Sequence, residues 1–193
     1  MADPYVYPGT GVLRNLAGLH DADTLADHEA QASTLRLAQL AAIRLEGAYD
    51  LPHLQEFHRF IFQDVYSWAG ELRSVPLAKP GSMFALPEHI ESYTAEVLRQ
   101  LAVEGRLCAL SRNQFAERLT HYYAEINAVH PFREGNGRAQ RAFLRQLALD
   151  AGHTLTWEHL DSQALVHASQ HSFQGDNRPM RELIEKVLDL PGR

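Results

Sequence analysis

Cysteine is almost missing from this sequence: Cys108 is the only one. A single thiol excludes an internal disulfide and a cysteine zinc cluster, and it suits a cytoplasmic protein. No run of eighteen apolar residues occurs, so no transmembrane helix is expected. The opening MADPYVYPGTGV has neither a basic n-region nor an apolar h-region, so no signal peptide is expected. Positive charge is in deficit, with 18 Lys and Arg against 24 Asp and Glu and a net charge of −6. Broad nucleic-acid binding needs a basic face, so this balance argues against it, while leaving room for a local Arg cluster around a small phosphate ligand. Repeats, low-complexity tracts and Ser/Gly linkers are lacking too, and 193 residues therefore read as one domain, 1–193.

What is present fits an ordinary globular chain, 45% hydrophobic and 22% charged. Residues 1–20, with two Pro and three Gly in the first eighteen, read as an extended arm. A helical pattern covers 21–46 and stops at Gly47. Pro52 opens a second helix that carries Phe57, Ile61, Val65 and Trp68 and ends at Gly70. A third covers 87–103. A fourth, 111–129, starts on the capping-box pair Ser111 and Gln114 and continues the stripe Phe115, Leu119, Tyr122, Ile126 and Val129. Three more follow at 138–150, about 158–173 and 179–189. The chain is mainly α, with about six to eight helices. Residues 71–87 break the rhythm. Lys79-Pro80-Gly81-Ser82 has the residue order of a type II turn, so this stretch reads as a short β-hairpin or extended flap.

The chemistry concentrates in His130-Pro-Phe-Arg-Glu-Gly-Asn-Gly-Arg-Ala-Gln-Arg141. Pro131 ends the fourth helix, because proline disfavours helical geometry in the residue before it. Asn136 is suited to cap the next helix. A glycine-rich turn feeding a helix N-terminus aims several N–H groups at one spot and forms an anion site. Arg138 and Arg141 lie three apart on one helix face and suit an oligophosphate. Glu134 would repel that phosphate unless a cation stood between them, as Mg²⁺ commonly does. His130, with an ordinary imidazole pKa of about 6.5, is fit to take a proton from an attacking hydroxyl.

This stretch resembles the Fic family motif His-x-Phe-x-Asp/Glu-Gly-Asn-Gly-Arg-x-x-Arg at every specified position. Residues 61–73, IFQDVYSWAGELR, are similar to the segment leading into that family's flap, and the likeness spans about residues 5–190. The resemblance implies a Fic-type helical bundle with one short hairpin flap. It implies a protein adenylyltransferase that moves AMP from ATP to a Tyr, Thr or Ser hydroxyl and releases pyrophosphate. His130 would be the general base and Glu134 the Mg²⁺ ligand. Gly135, Asn136 and Gly137 would form the anion hole, Arg138 would grip the β-phosphate and Arg141 the γ-phosphate. Phe132 would anchor the loop inward, and the flap would hold an extended target segment by strand addition at Val75 and Leu77. Gly137 favours AMP transfer, since the related Doc kinases carry Lys there. The alternatives are a kinase, a phosphocholine transferase, or a catalytically idle module that keeps the fold and docks a partner.

Many members of the family are restrained by a helix carrying Ser/Thr-x-x-x-Glu-Gly/Asn. The nearest match, Ala42-Ile-Arg-Leu-Glu46-Gly47, has Ala in place of the hydroxyl residue and reads as a helix end, leaving Glu46 a regulatory candidate. Thr24 to Glu29 has the wrong spacing. Without a built-in glutamate, the resemblance is to the short bacterial toxin-like class. There a small antitoxin supplies the inhibitory helix, and targets include type II topoisomerase subunits. His167 and His171, four apart, could share a metal on one helix face, though an exposed face is the plainer reading.

Overall fold

Helices form where local signals are strong. In the computed structural model, which describes residues 3–79 and 82–189, α1 spans Ala22–Ala42, α2 Leu51–Phe62, α3 Pro87–Val103 and α4 Arg112–Val129. They are followed by α5 Asn136–Asp150, α6 Ser162–Phe173 and α7 Arg178–Val187. Asp21, Asp50 and Asp161 cap α1, α2 and α6 by accepting the N–H groups of Thr24, His53 and Ala164. Pro52 and Pro87 stand in the first turns of α2 and α3, where no N–H is needed. The Gln114 side chain reaches back to accept the Ser111 N–H at 3.1 Å at the start of α4.

The core is built around α5, which packs between α2 and α4. Ala139, Phe143, Leu144 and Leu147 of α5 are fully buried, as are Leu54, Phe57 and Ile61 of α2 and Phe115, Leu119 and Tyr122 of α4. Phe57 meets Phe143 edge to face at 5.7 Å and 82°. Each such side chain contributes about 1.5–3 kcal/mol on burial. α1 lies on α2, α3 runs along α4, and α6 and α7 pack together against α4. Residues 130–135 thus link two helices of this core, α4 and α5.

Several boundaries differ from the sequence reading, each for a tertiary reason. α1 ends at Ala42, not at 46. The Gln146 side chain of α5 takes both polar groups of Leu45, accepting its N–H at 2.9 Å and donating to its carbonyl at 2.8 Å. That pairing draws 43–46 out of helical geometry and leaves Glu46 exposed beyond the helix. α2 ends at Phe62 rather than Gly70, because the chain turns to bury Val65, Tyr66 and Trp68. Trp68 stacks on Tyr66 at 4.2 Å and meets Tyr5 edge-on at 5.3 Å. The N-terminal arm is not simply extended. It folds back through a bridge between Val6 and Leu13 and buries Tyr5 and Val12. α5 starts at Asn136, and α6 starts at Ser162 after a 3-10 turn, Trp157–His159. In the flap, Ala78–Lys79 pairs antiparallel with Ser82–Met83; Pro80 and Gly81 of the expected turn lie outside the described residues.

Two histidines of α2 are buried in a single tautomer. His53 Nδ1 accepts the Tyr49 N–H at 3.1 Å, so Nε2 carries the hydrogen and donates to the Leu45 carbonyl at 3.0 Å. His58 Nδ1 accepts the Gly70 N–H at 2.8 Å and Nε2–H donates to the Glu134 carbonyl at 2.9 Å. Burial lowers the pKa of both, His58 to about 4. Unfolded chains bind those protons near pH 6.5. The unfolded state therefore holds more protons between about pH 6.5 and 4, and folding stability falls as pH drops through that window. Urea unfolding is expected to show the chain roughly 2 kcal/mol less stable at pH 5 than at pH 7 from His58 alone. His58→Gln should lower stability at neutral pH yet flatten that slope; an unchanged slope would contradict the assignment.

Candidate active site

The site begins where α4 stops. His130 adopts a left-handed conformation, φ 51° and ψ 63°, as the residue closing α4, and its N–H still donates to the Ile126 carbonyl at 3.0 Å. The α4 carbonyls exposed by this turn are collected by Arg73, from the segment between α2 and the flap. Arg73 Nε donates to the His130 carbonyl at 2.8 Å and Nη2 to the Val129 carbonyl at 3.1 Å. The same guanidinium reaches the two legs of the flap, with Nη1 on the Val75 carbonyl at 2.7 Å and Nη2 on the Ala85 carbonyl at 2.6 Å. Its backbone N–H donates to the Pro131 carbonyl at 2.9 Å. Arg73 is 2% exposed. Among the described residues it pairs with carbonyl oxygens and with no carboxylate, and burial lowers its pKa. The negative end of the α4 dipole helps keep the cation in place.

The loop itself is closed by side-chain staples on the backbone. Asn136 accepts the Phe132 N–H at 2.8 Å and donates to the Phe132 carbonyl at 2.7 Å. It is therefore not the cap of α5, as its position had suggested. That place belongs to Gly135, with φ +77°, where an added Cβ would lie 2.2 Å from the Phe62 ring. Phe132 is buried and stacks on His58 at 4.0 Å, while His58 holds the Glu134 carbonyl. Arg133 points the other way, binding Asp3 of the N-terminal arm at 2.9–3.0 Å.

The residues of the loop then divide between two concavities. His130, Glu134, Asn136, Gly137 and Arg141 border a cavity of about 340 Å³ whose far wall is Leu165, Val166, Ser169 and Gln170 of α6. His130 is 9% exposed, and the Phe84 ring of the flap lies flat against it at 3.9 Å and 13°. Its Nδ1–H faces the Asn127 carbonyl at 3.3 Å, which puts the basic lone pair of the neutral ring on Nε2. The Glu134 carboxylate is 45% exposed and accepts the Gly135 N–H at 2.9 Å. A Cβ at Gly137 would lie 3.0 Å from Arg141 Nη1, so the guanidinium packs closely over the helix start. Arg138 lies on the other side, along a groove of about 490 Å³ between α1, α5 and residues 153–158 that Arg141 also borders.

Val75 is half-buried against the core, and Val75 and Leu77 both precede the paired residues of the flap, on which Met83 is 72% exposed. Glu46 forms no ion pair with Arg141 among the described residues. His167 and His171 contact each other, Nε2 to Nε2 at 3.2 Å, and among the described residues no group of three or more His, Cys, Asp and Glu could hold a metal. Sequence reasoning missed Arg73, His58, Phe84 and the α6 wall. The only signal for Arg73 and His58 was a charged or polar residue beside an apolar run.

A mainly helical fold that aims a helix start, a carboxylate, a histidine and an arginine into one cavity defines a class of phosphate-handling proteins. The Fic/DOC family profile matches residues 48–148. The chain is 41% identical over 186 residues to protein adenylyltransferase VbhT of Bartonella schoenbuchensis, covering 96% of this chain and 39% of that protein. It is 40% identical over 186 residues to probable protein adenylyltransferase Fic of Salmonella typhimurium, covering 96% and 92%. Among solved structures, BepC of Bartonella tribocorum with bound AMPPNP is similar at a TM-score of 0.91 and 25% identity, covering 98% and 97%. The chain belongs to the Fic/DOC family. It spans about two fifths of the length of VbhT and nearly all of the Salmonella relative.

Replacing Arg73 by Met leaves four carbonyls without their donor, two of them in fully buried bonds. Urea unfolding is expected to show a loss of at least about 3 kcal/mol, with His130 misplaced in the fraction that folds. A loss below about 1 kcal/mol would mean the carbonyls find other partners.

Proposed function

We propose that this chain is a protein adenylyltransferase, transferring AMP from ATP to a hydroxyl of a target protein. The observation that carries the reading is the orientation of His130. Its Nδ1–H is committed to the Asn127 carbonyl, so Nε2 is the basic atom, and the ring borders the same cavity as the α5 start. ATP would lay its base on Leu165 and Val166, with Ser162, Ser169 and Gln170 as polar partners, and its phosphates on the N–H groups of Asn136 and Gly137. The target hydroxyl attacks the α-phosphorus while His130 takes its proton. The new oxygen–phosphorus bond forms as the bond to the β-phosphate oxygen breaks, and pyrophosphate leaves toward Arg138 and Arg141. Positioning and charge stabilisation supply most of the acceleration.

Glu134 is the residue that would hold Mg²⁺. One half-exposed carboxylate at the cavity, with no other cluster of ligands among the described residues, suits an ion that takes its remaining ligands from phosphate and water. When bound, the ion would offset the charge of the phosphates. Gly137 supports AMP transfer over terminal-phosphate transfer, because a side chain there would crowd the Arg141 guanidinium, 3.0 Å from an added Cβ. The names of the relatives, protein adenylyltransferases in Bartonella and Salmonella, point the same way.

The target is a protein that presents Tyr, Thr or Ser on an extended segment beside the flap, with exposed Met83 as the contact; a type II topoisomerase subunit is one such target. The groove beside Arg138, Arg141 and Arg145 is lined with Leu37, Leu40, Leu149 and Trp157. An amphipathic helix of a small antitoxin, with a glutamate turned to Arg141, fits that chemistry, and the pair would act in the cytoplasm. No described helix is long and apolar enough to cross a membrane.

Incubation with a bacterial lysate, α-³²P-ATP and Mg²⁺ is expected to label a protein band, with no label from γ-³²P-ATP. His130→Ala should reduce labelling by at least about 100-fold. Label from γ-³²P-ATP would move the chain to the kinases, and nucleotide binding without transfer from either would favour the idle module.

A further inference from the structure

Arg138 is held from the side of α1, by two residues that the reading above leaves without a role. Its Nη2 donates to Glu29 Oε1 at 2.5 Å and its Nη1 to Ser33 Oγ at 3.0 Å. The guanidinium carbon stands 4.7 Å from the centre of the Phe62 ring. Glu29 and Ser33 are four residues apart and so share a face of α1. The other Glu29 oxygen accepts the Tyr66 hydroxyl, and Ser33 donates its own hydrogen to the Ala30 carbonyl at 3.3 Å. Every polar group in this chain of contacts has a partner, although the Glu29 side chain is 13% exposed and Tyr66 and Ser33 are each 2% exposed. Burial, reinforced by Glu29, raises the Tyr66 pKa and keeps the phenol a donor.

Such an arrangement exceeds what joining two helices requires. A buried ion pair adds little net stability compared with an apolar contact of the same size. What it does is remove the freedom of a side chain that otherwise carries about 2 kcal/mol of rotamer entropy. Arg138 Nη2 also lies 3.7 Å from Glu134 Oε1, so the fork is fixed between α1 and the carboxylate bordering the phosphate cradle. Glu29 and Ser33 occupy two of its five N–H donors and leave the other three unclaimed by α1.

We propose that Glu29, with Ser33 and Tyr66, is a positioning residue for AMP transfer, setting the Arg138 fork where it meets the phosphate next to the one attacked. The inference rests on reading the 130–141 loop as an ATP site. It makes a prediction opposite in sign to simple electrostatics. Glu29 is a negative charge near bound phosphate, so Coulomb's law alone has its removal tighten the binding of a nucleoside diphosphate. A positioning role has its removal weaken that binding, and only for nucleotides that own a β-phosphate.

Calorimetric titration of the full chain with ADP and with AMP, in Mg²⁺, tests this. Glu29→Gln is expected to weaken ADP binding about 10-fold and Ser33→Ala about 3-fold, both with AMP binding unchanged. ADP binding that is equal or tighter in Glu29→Gln, in protein that melts like the wild type, overturns the proposal. So does an equal loss for ADP and AMP, which marks local damage to the fold. If Glu29→Gln does not fold, Ser33→Ala decides by the same criterion. Arg138→Ala is the control: if it binds both nucleotides as the wild type does, the phosphate-site reading has failed as well.

Discussion

One buried cation sets the frame on which the site depends. Arg73 has no carboxylate among the described residues and is satisfied by the carbonyls of Val129, His130, Val75 and Ala85. Burying a charge is costly unless its hydrogen-bonding capacity is filled, so this cation tolerates few alternative arrangements of its neighbours. The end of α4 and both legs of the flap are brought to fixed distances by the same side chain. His130 and the flap therefore share one reference point, which is what the proposed transfer between two large molecules would need.

The loop proposed to cradle phosphate is preorganised in the same manner. Asn136 closes the turn on Phe132, His58 holds the Glu134 carbonyl, and Asn127 fixes the ring of His130. Each is a side chain bonded to backbone, and each removes a motion that would otherwise have to be frozen when a nucleotide arrives. Donors that are already oriented have little reorganisation left to undergo as charge develops. The Fic/DOC motif reads from this viewpoint as two sets of residues. His130, Glu134, Gly137 and Arg141 border the cavity and Arg138 the groove beside it, while Phe132, Gly135 and Asn136, the last also at the cavity edge, shape the loop that carries them.

Legibility in the sequence follows the range of the interactions. The starts of α2, α3 and α4 were readable, because Pro52, Pro87 and the Ser111–Gln114 pair act within one turn. The motif residues were readable because they are contiguous. The end of α1 was not, since Leu45 is captured by Gln146 from 101 positions away. The end of α2 was misread for a related reason: Val65 and Trp68 keep a helical spacing that the chain uses in a turn. Asn136 looked like a cap, and only the structure distinguishes capping a helix from stapling the loop before it. Glu29 was set aside on spacing, yet α1 brings it to Arg138 across 109 residues. Buried polar residues such as His58 and Arg73 carry no periodic signature, so their partners emerge only from the fold.

The anchoring of the flap has an evolutionary consequence. The carbonyls of Val75 and Ala85 are pinned at its base, whereas the paired strands beyond them are two residues each. Insertions, deletions and substitutions between residues 78 and 83 leave the pinned base intact. If the flap reads the target, as proposed, the choice of target can change in this tip while the chemistry of transfer stays constant.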